Sequence, residues 1–535
     1  MNEAPQNVRL IGGEMPLWSD MSAIGGITDW RGTALELIRR MVPAGGRVLA
    51  VGPHPRAVVD DVVARATSAA VLLRSYPDAC AFGERHPGLA VFCGRLEVFA
   101  ADEPYDLVLA LDGLLRTHSA EAPAAAWTES LDALAALVAP GGRLVLGVSN
   151  DLGVDRFIEA RPADRDGADD QWAPHGFDPG YPSGPGALDA ALESAGLTVE
   201  RCYAAYPGRQ APRALLSRQA LAGDLPDALT FPLSAKGGDR MLVADPLRLT
   251  RLVFRHRLGD ELAPLWLAVA TRPPAAGASE AVELPSGLIE EGAAVYELTR
   301  TTLKQLPDGE EHPIPAGRVV EEILVEACAR EDVKAVRDLL SHLATWLEAG
   351  GDVAAATDSL VYDGERFAAI GRKAGPSTPP KPRIVLCRIL WRYAVRLLAA
   401  GHHHPWPWPL EADQLTLTLC GMAGRPCDPG DLDLARKLDA ELGQPAELAE
   451  EAPTYRDLLG ARDRLADQLT AALARISRLE TKLSYREREL VRAKAKLRRT
   501  QRKATAYRRS LGYRLSRRLA SPRRVARKVI RLLSG

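Results

Sequence analysis

At 535 residues, 46% hydrophobic and 26% charged, the chain is too long for one ordinary core and too apolar for a disordered protein, so two or three globular domains with extensions are expected. The net charge of −1 hides an uneven distribution: Val491 to Gly535 holds 17 Lys and Arg and no Asp or Glu, which leaves 51 basic against 69 acidic residues, or −18, in the rest. That polarity points to an anionic partner for the tail, and with no leader pattern at the start and no run of about 18 uninterrupted apolar residues, no spanning helix is expected. A cytoplasmic chain is expected, with any membrane contact made from one side. Its cysteines (Cys80, Cys93, Cys202, Cys328, Cys387, Cys420 and Cys427) are scattered without a CxxC pair. Neither a disulfide framework nor a zinc ribbon is suggested, and idle thiols in a reducing compartment are expected.

In chain order, residues 1–29 read as an N-terminal extension. From Trp30 to Arg218 helices and strands alternate: "GTALELIRRMV" is helical, "RVLAVG" a strand, "RAVVDDVVARA" helical, "AAVLLRS", "LAVFCG" and "YDLVLAL" strands. "WTESLDALAALVAPGGRLVLGV" follows as helix, Pro-Gly-Gly turn and strand. After a Gly-, Asp- and Pro-rich loop from Arg161 to Gly186 come the helix "GALDAALESAG" and the strand "LTVERCYAAYP". This alternation predicts an α/β fold with a parallel sheet covered on both faces.

Residues 223–450 read as an α+β domain: β-like runs such as "DRMLVADPLRLTRLVF" and "PLWLAVATR" precede the helices "AGRVVEEILVEACA" and "EDVKAVRDLLSHLATWLEAG". "SLVYDGERFAAIG" is a hairpin candidate with Asp363-Gly364 at its turn. The helix "RILWRYAVRLLAAG" stops on Gly401. His402, His403 and His404 follow, but adjacent histidines in extended backbone point to different sides, and the interleaved Trp and Pro of "PWPWPL" suit a rigid loop packed on the domain.

Over 455–504 a seam of Tyr455, Leu458, Leu465, Leu469, Ala472, Ile476, Leu479, Leu483, Leu490, Ala493 and Leu497, broken by Arg462 and Arg486, predicts a coiled coil and hence a homo-oligomer. In the basic tail, 505–535, Ser521-Pro522 is a helix start. Val525, Val529, Leu532 and Leu533 then oppose Arg523, Arg524, Arg527, Lys528 and Arg531, the residues expected to meet an anionic membrane or polyanion. Nucleic acid is the lesser alternative, since only Tyr507 and Tyr513 could stack on bases.

The strand–glycine–helix opening, the "YDLV" strand, the "PGG" turn and the "AGL" turn into an antiparallel sheet end resemble the class I S-adenosylmethionine-dependent methyltransferases, over about residues 30–218. The resemblance implies a Rossmann-like sheet and S-adenosylmethionine as cofactor. It implies a cofactor site at Gly52, His54, Arg56, Arg74 and Arg95, where the family's motif fails. The acid before the turn is Ala50, Gly52 is kept, and the second and third glycines are His54 and Arg56. The ribose-binding acid corresponds to Arg74 and the next acid to Arg95, donors where acceptors are needed. A filled pocket is expected, with an altered anionic ligand as a further reading.

"ATDSLVYDGERFAAIG" resembles the metal-binding segment of kinase-like phosphotransferases, with Ser359, preceded by Asp358, at its asparagine and Ala369 near its metal aspartate. The domain order resembles the bifunctional methyltransferase/kinase chain terminators of bacterial O-antigen polysaccharides. That implies a methyltransferase-like scaffold at the inner membrane face, partnered with glycan-synthesis enzymes. The alternative is an active methyltransferase acting on a glycan or lipid-linked sugar.

Overall fold

The computed structural model describes residues 5–21, 27–43, 45–119, 123, 125–158, 178–222, 229, 233–234, 244, 246–274, 282–291, 294–307, 309–369, 379–399, 401–407, 410–442, 455–517 and 526–527. The chain divides into two compact units, Met1–Leu458 and Leu459–Gly535.

The first unit begins with β1 (Val8–Gly12), α1 (Thr33–Met41), β2 (Arg47–Val51), α2 (Arg56–Arg65), β3 (Ser68–Leu73), α3 (Tyr76–Arg85), β4 (Ala90–Gly94) and β5 (Tyr105–Ala110). It continues through α4 (Trp127–Ala136), β6 (Val138–Ser149), α5 (Asp155–Ile158), α6 (Pro185–Ser194), β7 (Thr198–Tyr206), β8 (Ala214–Ser217), α7 (Arg218–Ala222), α8 (Pro246–Arg255) and β9 (Leu265–Thr271). A meander follows: β10 (Gly287–Glu291), β11 (Ala294–Leu298), β12 (Thr302–Leu306) and β13 (Glu311–Pro313).

These strands form one sheet in the order β1-β4-β3-β2-β5-β6-β9-β7-β8-β10-β11-β12-β13. Pairing is parallel from β1 to β6, and β9 runs antiparallel to both β6 and β7. The strand order reverses between β2 and β5, the switch point beside which doubly wound sheets bind ligands. Period-two alternation explains why the strands read as continuous apolar runs. Leu107 and Leu109 enter one core cluster while Val108 and Ala110 enter the cluster on the opposite face. In β9, Leu265, Leu267 and Val269 go one way and Trp266, Ala268 and Ala270 the other. The Rossmann-like sheet with an antiparallel end is thus present.

Two expected boundaries differ from the structure. β9, read as part of a separate domain starting at 223, lies between β6 and β7 and pairs with seven residues of β6 from Arg143 to Ser149. A strand buried on both faces has the same sequence pattern wherever it inserts, so its apolar run could not reveal this place. The extension at 1–29 is likewise no appendage: β1 pairs in register with β4, Val8 opposite Val91 and Leu10 opposite Cys93.

Beyond the sheet, β14 (Arg318–Val319) is followed by α9 (Val320–Ala329), α10 (Val333–Glu348), β15 (Leu360–Tyr362), β16 (Phe367–Ala369), α11 (Pro382–Ala399), α12 (Ala412–Met422) and α13 (Pro429–Glu441). This is an α+β part with a small antiparallel sheet, β14-β15-β16, on a separate helical core. The hairpin candidate is present: Asp363 closes its turn by accepting from the amides of Glu365 at 2.8 Å and Arg366 at 2.7 Å, and Gly364 takes φ 109°.

One side of α11 is a ladder of Arg388, Arg392 and Arg396, four residues apart and drawn into the core by carboxylates from elsewhere. Asp439 accepts from Arg388 Nε at 2.8 Å and from Arg392 Nη1 at 3.0 Å. Arg396 donates to Asp358 at 2.8 Å and also pairs with Glu321. Three guanidinium groups meet three carboxylates, so the core carries no net charge. Asp358 is held in this ladder, and the Oγ of Ser359, the residue at the asparagine position of the kinase-like resemblance, lies on the Ala356 carbonyl at 3.4 Å.

The second unit is the greater part of α14 (Tyr455–Arg509), followed by a further helical stretch at 511–517. No helix among the described residues is long and apolar enough to cross a membrane.

Candidate functional site

The place to look for a ligand is outside the carboxyl ends of β2, β3, β4 and β5. Gly52 follows β2 with φ 80°, and its N–H reaches the Leu72 carbonyl at 2.9 Å. A Cβ there would find ordinary contact, Thr117 Cγ2 at 3.6 Å, so conformation rather than crowding demands glycine. Neither His54 nor Arg56 adopts positive φ, so a side chain at either position brings no backbone strain.

His54 is 1% exposed. Its Nδ1–H donates to the Gly52 carbonyl at 2.9 Å, and Nε2 accepts from the Leu111 amide at 3.4 Å. The imidazole thereby ties the end of β2 to the end of β5 and occupies space that a second glycine would leave open. Burial lowers its pKa to about 4, opposed by the Gly52 hydrogen bond, so the ring is neutral at pH 7. Arg56 does something else: it starts α2 and is exposed, contrary to the expectation that its side chain would fill the pocket.

The neutral ring sets a pH dependence. Unfolded His54 takes up a proton below about pH 6.5, whereas the folded ring resists it down to about 4, so its contribution is complete above 6.5 and is lost as pH falls toward 4. Between pH 7 and 4 the unfolding free energy should fall about 3 kcal/mol more in the native chain than in His54→Gln. Parallel pH profiles of chemical unfolding for the two would contradict this.

Arg74, which the methyltransferase resemblance sets against a ribose-binding acid, is satisfied from within. Its Nε and Nη2 grip both oxygens of Asp20 at 2.9 and 2.6 Å, and Nη1 donates to the His118 carbonyl at 3.0 Å. Asp20 belongs to a strap after β1 that crosses the ends of β3 and α3. Along this strap Met15 N–H donates to the Arg74 carbonyl at 2.7 Å, and Ser75 Oγ donates to the Trp18 carbonyl at 2.7 Å. Asp78 accepts from Ser19 Oγ at 2.6 Å and from the Asp20 amide at 2.8 Å.

Arg95 follows Gly94 (φ 157°), and its amide donates to the Gly12 carbonyl at 3.2 Å. Its stem packs so closely on Gly13 that an added Cβ would lie 3.0 Å from Arg95 Cδ. At the end of β5, Asp112 accepts from the amide and hydroxyl of Thr28 at 3.2 and 2.9 Å and pairs with Arg116 at 3.1 Å. Burial raises its pKa, against Arg116 and Thr28.

His54, Arg74 and Arg95 therefore sit at neighbouring strand ends, as the sequence places them, while Arg56 turns away. His54 is uncharged at pH 7 and the Arg74 charge is matched by Asp20, so these two add no free positive charge for an anionic ligand. Sequence reasoning missed Asp20, Asp78, Thr28 and Asp112; "WSDM" carries no motif, and only the strap's path gives Asp20 its role.

Elsewhere, His403 pairs with exposed Glu331 at 3.0 Å, and the His404 ring lies 5.8 Å from Trp406, which packs on the helical core. Three cysteines read as idle come together instead: the Sγ atoms of Cys387, Cys420 and Cys427 all lie within 4.8 Å of one another. Of the tail residues singled out, Arg527 is helical and exposed, and Arg523, Arg524, Lys528 and Arg531 lie outside the described residues.

No protein-family model matches the chain, and no curated protein matches it. Among solved structures, it is similar to the N-methyltransferase NodS from Bradyrhizobium japonicum WM9, at 15% identity over 44% of this chain and 93% of that one, with a TM-score of 0.24. In the NodS complex with S-adenosyl-L-homocysteine the match is 21% identical over 22% of this chain and only 60% of that one, with a TM-score of 0.19. A putative methyltransferase in complex with the Haloferax volcanii Trm112 activator matches at 17% identity over 46% of this chain and 90% of that one, with a TM-score of 0.27. Scores this low add nothing to the strand order, which by itself defines the Rossmann-like sheet.

Proposed function

We propose that this chain is a methyltransferase-fold scaffold whose cofactor place is occupied by its own side chains, and that it self-associates and attaches to an anionic membrane surface. The observation that carries this reading is the joint occupation of the strand ends by His54 and by the Asp20–Arg74 pair of the strap. An S-adenosylmethionine-binding enzyme would need that volume and those acceptors free.

Two features support attachment and assembly. Leu465, Leu469, Ile476, Leu479, Leu483 and Leu490 stand 51–63% exposed along α14. An apolar seam of this length in three-and-four steps suits a second copy of the same helix. Beyond it, the unbroken run of positive charge suits anionic lipid, at about 1 kcal/mol for each basic residue near the surface. A role beside enzymes that build surface glycans rests on domain order alone.

Sedimentation tests both halves. The full chain is expected to run as an oligomer and to pellet with anionic vesicles, and removal of residues 521–535 to abolish pelleting. A monomer at micromolar concentration, or unchanged pelleting after truncation, overturns the corresponding half.

A further inference from the structure

Cys387 comes from the middle of α11, Cys420 from the last turn of α12, and Cys427 from the link into α13. Cys387 and Cys420 are fully buried, and Cys427 is half-buried. The link is a fixed turn rather than a loose loop. Gly424 takes φ 72°, its amide donates to the Gly421 carbonyl at 3.1 Å, and the Arg425 amide donates to the Cys420 carbonyl at 3.0 Å. This is the paired hydrogen-bond pattern of a Schellman cap, and it folds Cys427 back beside the helix that carries Cys420.

We propose that these three thiols form a binding site for a thiophilic d10 cation, Zn2+, that staples α11, α12 and the start of α13. Three thiolates bound to one Zn2+ at about 2.3 Å stand roughly 3.8 Å apart, so the observed spread of no more than 4.8 Å closes with side-chain adjustments of about 1 Å. Binding releases three thiol protons and leaves a site with one net negative charge. Three protein ligands leave the fourth tetrahedral position, on the half-buried Cys427 side, to water or an external donor. The spacing in sequence, 33 residues and then 7, matches no zinc motif, and helix packing alone creates the site.

The test uses the full chain, reduced and freed of metal by chelation. Co2+ should produce a thiolate-to-metal charge-transfer band saturating at one equivalent, and Zn2+ should displace it. Cys387→Ser, Cys420→Ser and Cys427→Ser should each weaken binding more than about a hundredfold, beyond the loss of an outer partner, while Cys202→Ser leaves it unchanged. Since Cys387 and Cys420 are core positions whose variants could unfold, the native chain gives a second readout: Zn2+ should slow alkylation of Cys427. No charge-transfer band, a band that survives in Cys420→Ser, an alkylation rate indifferent to Zn2+, or isolation of the chain with two of these thiols joined as a disulfide overturns the proposal.

Discussion

Replacing Asp439 by Ala should lower the unfolding free energy of the helical part by about 3–5 kcal/mol, the cost of removing one partner from a buried ion pair. The reason lies in how completely its partners are enclosed: the side chains of Arg388 and Arg392 are 0% and 6% exposed, and Asp439 is the carboxylate that both reach. Arg388 also donates to the Ala355 carbonyl at 3.0 Å, but a carbonyl cannot neutralise it. Burial already pulls the Arg388 pKa down, with Asp439 opposing. Without Asp439 two guanidinium groups would lose the carboxylate that both contact, and Asp358, which also acts on Arg388, is already paired with Arg396. Chemical unfolding followed by the fluorescence of Trp391 and Trp346 measures the loss. An exposed pair supplies the control: Asp413, paired with Arg436 at 2.6 Å and about as exposed as its partner, should cost no more than about 1 kcal/mol when changed to Ala. Equal losses at the two sites would contradict the ladder's role.

Replacing Asp20 by Ala should cost a comparable amount, about 3 kcal/mol, and also release the strap. The Asp20 side chain is 4% exposed and that of Arg74 is 14%, so their two-pronged contact is shielded from solvent. Amide exchange at Met15 and Tyr76, whose backbones bridge strap and sheet, should quicken in Asp20→Ala. The double change with Arg74→Ala should be less destabilised than Asp20→Ala alone, because no buried cation is left unpaired. If the double variant loses the sum of the two single losses, the residues act independently and the strap is not held by this pair.

Much of the sheet was legible because its strands are buried on both faces and so read as unbroken apolar runs between helices. Insertion of β9 was not legible, since pairing partners leave no mark on an apolar strand. The same limit hid the strap: β1 is only five residues long and half-exposed, and Asp20 gains meaning only from Arg74, 54 residues later. At the site, the side chains at His54 and Arg56, where the methyltransferase resemblance implies glycines, were visible in the sequence, but their different fates were not. His54 precedes α2 and points inward, whereas Arg56 lies on the first turn of that helix and faces water. The arginine ladder went unread: Arg388, Arg392 and Arg396 stand four apart within an apolar helix, but the acids that hold them come from α9, α13 and the approach to β15. Cys387, Cys420 and Cys427 lay beyond sequence reasoning because packing of α11 against α12 unites them.

The proposal that the chain's own side chains fill the cofactor place is tested most directly by calorimetric titration of S-adenosylmethionine into the native chain, with Asp20→Ala alongside. No binding heat at millimolar ligand is expected from the native chain, since His54 and the strap hold the volume and match the charge. Saturable binding at micromolar concentration by the native chain would contradict the account and restore the active methyltransferase as the better reading.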